Sequence, residues 1–192
     1  MAHDHDEMRT IIVEAAREVF SRFGYKKTTL DDIASSLYKA KSSIYYYFKS
    51  KEDVFRAVIE YEADRAKKII RNAIDKETSP EAKLRTYFKT IKVFVRETTS
   101  YYELMQEDVL EVMSFSRETK AKHQSEAENL ISSILNEGIE SGDFAVADVK
   151  GTAEAVIVAF RGLNNPLDTY EEVTDLQFDN LMNVLLNGLK AR

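Results

Sequence analysis

Cysteine is absent from this chain of 192 residues. Its absence excludes disulfide bonds, metal sites built from thiolates and enzymes with a thiol nucleophile. Long apolar runs are absent as well, since the longest, Ala155 to Phe160, is far too short to span a bilayer. The opening residues MAHDHDEMRT lack the apolar core of a signal peptide. We therefore predict a cytoplasmic protein that is not associated with a membrane.

Proline and glycine are scarce, with two and six residues. No segment alternates Val, Ile or Thr with polar residues between turns, as half-buried strands do. A hydrophobic content of 44% is ample for a packed core. The composition therefore predicts an all-α globular fold.

The net charge of −6 is unevenly distributed along the chain. From Arg22 to Lys51 there are seven lysine or arginine residues and two aspartates, a local charge of +5, so the remainder carries −11. A basic segment attracts phosphate, whereas the acidic remainder repels it. This distribution favours a nucleic acid as partner. The alternative is that these residues form an ordinary charged surface.

Four helices are predicted in the first 74 residues, because apolar side chains recur at spacings of three and four and capping residues separate the segments. His3 and His5 precede the first helix, in what we expect to be a disordered tail. The first helix is 7–23, and Gly24 ends it. Thr28 or Thr29 caps a short second helix, whose inward-facing residues are Leu30, Ile33, Ala34 and Leu37. The third helix is 41–48, and the fourth is 50–74, which begins with a capping box of Ser50 and Asp53.

The rest of the chain predicts a second, purely helical domain. Thr78, Ser79 and Pro80 combine capping residues with a proline that suits the first turn of a helix. No internal repeat or low-complexity linker separates the two domains, so we expect the long fourth helix to join them. The predicted helices of this domain are 80–97, 101–114, 117–141, 148–163 and 175–189.

The third predicted helix has the side chains that a DNA recognition helix needs. Lys41, Ser42 and Ser43 occupy its first turn, where polar groups can reach base edges in the major groove. Tyr45 and Tyr46 follow an inward-facing isoleucine, and their rings suit thymine methyls or sugars while their hydroxyls suit phosphate. A row of tyrosines on a short helix also occurs as half-buried packing, which is the alternative reading.

Donors for phosphate lie at the neighbouring helix starts. Thr28 and Thr29 begin the second helix and Lys51 begins the fourth. Hydroxyl, ammonium and unpaired backbone N–H groups at a helix N-terminus favour an anion. Together with the third helix they predict a helix-turn-helix that binds DNA.

The stretch from Ile11 to Val58 resembles the TetR family of bacterial transcriptional regulators. The residues that carry the resemblance are Ala15-Ala16, Phe20, Gly24-Tyr25, Thr28-Thr29-Leu30, Asp32-Ile33-Ala34, Ile44-Tyr45-Tyr46-Tyr47-Phe48 and Lys51-Glu52. By position, it implies that Thr28, Thr29, Tyr46 and Lys51 contact phosphates and that Lys41, Ser42, Ser43 and Tyr45 face bases.

The resemblance also implies an architecture and a mechanism. A three-helix DNA-binding head would cover residues 7–52, with the helix-turn-helix at about 29–48. A helical domain for ligand binding and dimerisation would cover residues 53–192. Such a protein would be a homodimer, usually a repressor, that binds operator DNA and is released by a small apolar or amphipathic molecule.

The turn between the second and third helices departs from the family pattern. Glycine, an apolar residue and a Ser or Thr cap are usual there, whereas this chain has Tyr38, Lys39 and Ala40. Tyrosine at a positive φ angle is costly, and alanine cannot accept the capping hydrogen bond. Either the turn has another geometry, or the head is looser before DNA binds.

Aromatic and methionine side chains in the second domain are candidates for lining an effector pocket. The same side chains are commonly plain core, and the resemblance does not select among them. The candidates are Phe94, Tyr101, Tyr102, Met105, Met113 and Phe160, with Arg96, His123 and Arg161 as polar anchors.

The last two long helices carry apolar stripes that are wide for helices at the end of a chain. We expect them to form a four-helix interface between two copies, which would place two recognition helices in successive major grooves about 34–36 Å apart or further. The alternative is that they cover the core of one copy. The stripes contain Ala153, Val156, Ile157, Ala159, Phe160, Leu181, Val184, Leu185 and Leu189.

Two other functional classes compete with a DNA-binding regulator. An enzyme is disfavoured because phosphate-binding glycine loops and nucleophile elbows are missing, and Lys120 stands three residues before His123 where a di-metal bundle needs glutamate. We predict no cofactor, no metal site and no catalytic residue. A helical adaptor that has lost DNA binding is the second rival, made plausible by the altered turn.

Overall fold

Within the residues that the computed structural model describes, which are 2–101, 117–163 and 174–191, there are eight helices and no strands. The helices are α1 (Ala2–Phe23), α2 (Leu30–Ser36), α3 (Lys41–Tyr47), α4 (Lys51–Ile74), α5 (Pro80–Tyr101), α6 (Arg117–Glu140), α7 (Val149–Leu163) and α8 (Asp175–Leu189). The predicted all-α fold is confirmed. The helix predicted at 101–114 lies almost wholly outside the described residues.

Helix α1 begins at Ala2, five residues before the predicted start. The expectation that His3 and His5 lie in a disordered tail was therefore wrong. Contacts with the rest of the first unit explain the longer helix: the His5 ring lies 4.8 Å from the Tyr47 ring, centroid to centroid, and Met8 packs against the core. In the second domain α5 likewise runs past its predicted end to Tyr101.

The described residues divide into two compact units. The first contains 2–65, 97–101 and 117–120, and the second contains 66–96, 121–163 and 174–191. The division falls within α4, between Arg65 and Ala66, whereas the predicted boundary lies between residues 52 and 53. The domain limits 7–52 and 53–192 stay a prediction.

The core of the first unit is built from α1 to α4. Its fully buried side chains include Ile12 and Phe20 of α1, Ile33 of α2, Ile44 of α3 and Val54 of α4. Each of these helices buries one apolar face against the others, so the short helices α2 and α3 need not be stable alone. The core fixes how α2 and α3 face solvent.

The core of the second unit contains a row of aromatic rings. Phe88 of α5 stacks on Phe160 of α7 with centroids 3.8 Å apart, and Phe160 meets Phe178 of α8 edge-on at 5.5 Å. Leu135 of α6 and Met182 of α8 are buried in the same cluster. No helix in the described part of the chain is long and apolar enough to cross a membrane.

Candidate nucleic-acid interface

Helix α2 is fixed at its start by a capping box. Thr29 Oγ1 accepts from the Asp32 N–H at 3.2 Å, and the Thr29 N–H donates to Asp32 Oδ2 at 2.8 Å. The hydrogen bond from the Thr29 side chain, followed by the one from its backbone, holds the pKa of Asp32 below its ordinary value. Leu30, Ile33 and Ala34 are buried, so the opposite face of α2 remains in solvent.

The turn between α2 and α3 keeps a left-handed residue although that residue is a tyrosine. Tyr38 has φ of 54° and is 99% exposed. The Lys39 N–H donates to Ala34 O at 2.9 Å and the Tyr38 N–H to Ser35 O at 3.0 Å, which ends the helix as a glycine would. Ala40 is the N-cap of α3 and supplies no side-chain hydrogen bond.

Helix α3 has one buried face and one solvent face. Ile44 and the following Phe48 are buried, at 0% and 3% exposure. On the other side Tyr45 is 50% exposed and Tyr46 is 72% exposed. Tyr47 lies between the two faces and packs partly against the core. The two tyrosines predicted to contact DNA are therefore exposed.

The first turn of α3 is polar and accessible. Lys41 and Ser42 are exposed, and Ser43 is half-buried. Lys41 Nζ lies 2.6 Å from Asp31 Oδ2 on α2. This hydrogen bond raises the pKa of Lys41 above its ordinary value. The Lys41 side chain is therefore a charged ammonium, and in the free protein it forms an ion pair with Asp31.

The predicted phosphate contacts differ in their surroundings. Thr28 is only 1% exposed, and its hydroxyl donates to Gly24 O at 2.7 Å. Its side chain secures the end of α1 and does not lie on the surface with α3. Thr29 is exposed at the start of α2. Lys51 Nζ donates to Tyr25 O at 2.9 Å and lies 4.3 Å from the centre of the Tyr25 ring.

Two residues that sequence reasoning missed lie beside α3. The His5 ring is 4.8 Å from the Tyr47 ring and 5.7 Å from the Tyr46 ring, centroid to centroid. Arg9 Cζ is 4.8 Å from the centre of the Phe48 ring. Their spacing of four residues, one helical turn, is the only sequence signal for this shared face. Reading the first residues as a tail hid that signal.

The structure describes the side chains of two of the six predicted effector residues, Phe94 and Phe160. Phe94 is half-buried on α5, and Phe160 is buried in the aromatic row of the second unit. Tyr101 ends α5, but its side chain lies outside the description, as do Tyr102, Met105, Met113 and the side chain of Arg161. No group of three His, Cys, Asp or Glu side chains fit to hold a metal occurs among the described residues.

The structure describes the side chains of the other two proposed polar anchors, Arg96 and His123. Arg96 is exposed near the end of α5. His123 is half-buried on α6, with Nδ1 3.3 Å from Glu126 Oε2, and its buried Nε2 has no hydrogen-bond partner. Glu126 also meets Lys67 Nζ at 2.5 Å, and this bond is the main reason that the pKa of Glu126 is lowered.

The apolar stripes of α7 and α8 face mainly inward. Most of the residues expected in a dimer interface are buried in the core of their own unit: Ala153, Val156, Ile157, Phe160 and Leu189. Listing them as interface residues was wrong, because a helix in a small unit uses its widest apolar face for its own core. Val158 and Val184, at 64% and 69% exposure, lie on other faces of the two helices.

Comparison with family models covers most of the chain. Residues 12–58 match the model described as bacterial regulatory proteins, tetR family. Residues 80–183 match the model described as Tetracyclin repressor-like, C-terminal domain. The first match contains α2 and α3 with all the predicted DNA contacts, and the second covers more than half of the chain.

The individual proteins to which this chain is similar are also transcriptional regulators. The HTH-type transcriptional regulator QacR of Staphylococcus aureus is 24% identical over 93% of this chain and 96% of its own length. The Biofilm operon icaADBC HTH-type negative transcriptional regulator IcaR of Staphylococcus epidermidis is 42% identical over 28% of this chain and 29% of its own. A TetR/AcrR family regulator from Thermobifida fusca matches structurally with a TM-score of 0.72 and 26% identity, covering 96% of this chain and 100% of that one.

Proposed function

This chain belongs to the TetR family of DNA-binding transcriptional regulators, and from that premise we propose that it is a repressor that binds its operator as a homodimer and leaves it when a small molecule binds. The observation that carries the proposal is the solvent face of α3. Lys41, Ser42, Tyr45 and Tyr46 are exposed there, on a helix held by the buried Ile44.

The contacts on this face sort into two kinds. Lys41 and Ser42, at the start of α3, are placed for base edges, while Tyr46 and the ammonium of Lys51 suit phosphate oxygens. Thr29 adds an exposed helix start for a further phosphate. We leave the Thr28 hydroxyl out of the surface, because it is buried and already donates to Gly24 O.

The comparisons favour repression of transcription over activation. IcaR, which matches this chain over the segment that includes the DNA-binding helices, is described as a negative regulator. A protein that occupies an operator blocks transcription without contacting the polymerase, so DNA binding alone is sufficient for this role. The prediction that the chain has no catalytic activity stays part of the proposal.

The proposed dimer uses the outer face of α7 and α8. Ala155 and Val158 are exposed on α7, and Val184 and Gly188 are exposed on α8. A groove lined by Ala155, Val184, Leu185 and Gly188 lies between these helices. Small and apolar side chains allow helices of two copies to approach closely, as in a four-helix interface.

The proposed effector binds in the second unit. His123 supports this location, since a buried ring nitrogen without a hydrogen-bond partner is unusual and a polar group of a ligand would satisfy it. Phe94 is the one described candidate that is half-buried and outside the aromatic row. We expect a small apolar or amphipathic molecule with at least one polar group.

Selection of duplexes from a random DNA pool tests the function. The full chain should enrich a palindromic sequence with two half-sites, and repeating the selection with metabolites should identify one that abolishes enrichment. No enrichment at low salt would contradict DNA recognition and favour a helical adaptor. Enrichment of single half-sites without a palindrome would contradict the homodimer alone.

A further inference from the structure

The first turn of α1 reaches the side of the recognition helix through His5. The imidazole ring lies 4.8 Å from the Tyr47 ring and 5.7 Å from the Tyr46 ring, and the two tyrosine rings are 4.9 Å apart. The three rings therefore form one cluster, which we call the His5 cluster. It joins residues that are more than 40 positions apart in the sequence.

The cluster restrains a side chain that otherwise has little to hold it. Tyr46 is 72% exposed, so its ring lacks the packing that fixes Tyr47 against the core. Edge-to-face contacts with His5 and Tyr47, at interplanar angles of 63° and 82°, limit its rotamers. A side chain that is ordered before binding loses less entropy when it meets a phosphate.

We propose that His5 is a positioning residue of the DNA-binding surface: its ring orders Tyr46 before DNA binds and so raises the affinity for the operator. The proposal rests on DNA binding through α3 as proposed above.

The test measures fluorescence anisotropy of the selected operator duplex with the full chain and with variants of His5. His5→Phe keeps an aromatic ring beside Tyr46 and should bind as tightly as the wild type. His5→Gln removes the ring and should bind at least about twofold more weakly, since Tyr46 must then be ordered when DNA binds.

Controls separate this role from folding and from the proposed function. Thermal unfolding should be the same for the wild type, His5→Phe and His5→Gln, which separates positioning from stability. In a Tyr46→Ala background, His5→Gln should cause no further loss of affinity. Equal affinities of His5→Gln and the wild type would overturn the inference and leave DNA binding intact. Failure of the wild type to bind any duplex would overturn the proposed function instead.

Discussion

Tyr38 shows how a single residue carries strain on the DNA-binding surface. Its φ of 54° is one that residues other than glycine and asparagine adopt at a cost of roughly 1–2 kcal/mol. Its side chain is 99% exposed, so no packing compensates for that cost. Ala40, two residues later, begins α3 without a capping side chain. Both positions reduce the stability of the segment that presents α3.

Replacing both residues tests this account of the turn. The double variant Tyr38→Gly with Ala40→Ser should raise the melting temperature, because glycine removes the backbone strain and serine supplies a cap worth about 0.5–2 kcal/mol. Thermal unfolding followed by circular dichroism measures the change. Lys39→Ala, in the same turn, is the control and should have little effect. An equal or lower melting temperature in the double variant would contradict the strain.

Among the described residues of the first unit, Glu62 is the carboxylate that is buried. It is 7% exposed, and it meets Arg17 Nε of α1 and, at 3.3 Å, Arg65 Nη1 of α4. Glu62→Ala should lower the free energy of unfolding by about 2–4 kcal/mol, because a partly buried guanidinium loses its carboxylate. Urea denaturation measures the loss. Glu60→Ala, at an exposed site on the same helix, should change stability by less than about 0.5 kcal/mol. Similar losses in both variants would refute the ion pair as a stabilising contact.

At the scale of the element, α2 depends on its capping box. The pKa of Asp32 is lowered by its hydrogen bonds with Thr29, so the carboxylate form stabilises the fold. A lowered folded pKa gives stability that is complete above the ordinary value of 3.8 and is lost as the pH falls through the lower folded value. Because Asp32 is exposed, solvent screening reduces this contribution.

The variant Asp32→Asn tests the cap. At neutral pH it should unfold at a lower temperature than the wild type, by an amount that corresponds to at most about 1 kcal/mol. The difference should shrink as the pH falls through the lowered pKa of Asp32, because the wild-type carboxyl then takes up a proton. Glu60→Gln is the control, because Glu60 does not cap a helix. A difference that stays constant as the pH is lowered would show that the charge of Asp32 has no part in the cap.

Local signals predicted the elements well, and long-range contacts were the part that they missed. The Thr29 cap, the end of α1 at Gly24 and the buried Ile44 follow from spacing and residue type within a few positions. The contact of His5 with Tyr46 depends on how α1 packs on α3, which no local pattern encodes. The role of Phe160 could not be assigned for the same reason, since an aromatic residue at helical spacing is suited equally to a hydrophobic core and to a ligand pocket.

For the whole molecule, the proposed function requires two copies. A dimer would have two basic segments, residues 22–51 of each copy with a charge of +5, and two acidic remainders with a charge of −11 each. Only the basic segments would attract DNA. Two half-sites bound together gain affinity through their high effective concentration. Weakening the dimer should therefore weaken binding to a palindromic operator more than binding to a half-site.

Val184→Glu tests the dimer surface on α8. Val184 is 69% exposed, so the substitution should leave the second unit folded, while two like charges at the interface separate the copies. Analytical ultracentrifugation should show monomers for Val184→Glu and dimers for the wild type. Val93→Glu, at 39% exposure on α5, is the matched control and should remain dimeric. Dimers in both variants would place the interface elsewhere.

The central claim is that the exposed face of α3 and the neighbouring helix starts contact the DNA backbone and bases. The most direct measurement is the affinity of the full chain for its selected duplex as salt rises from about 50 to about 200 mM, with Lys41→Ala and Lys51→Ala beside the wild type. We predict a fall of about 10³-fold or more for the wild type, a salt slope lower by about 2 for each variant because the dimer loses two ammonium groups, and a relaxed base preference for Lys41→Ala alone. An affinity that hardly changes with salt, or identical base preferences in all three proteins, would contradict the account.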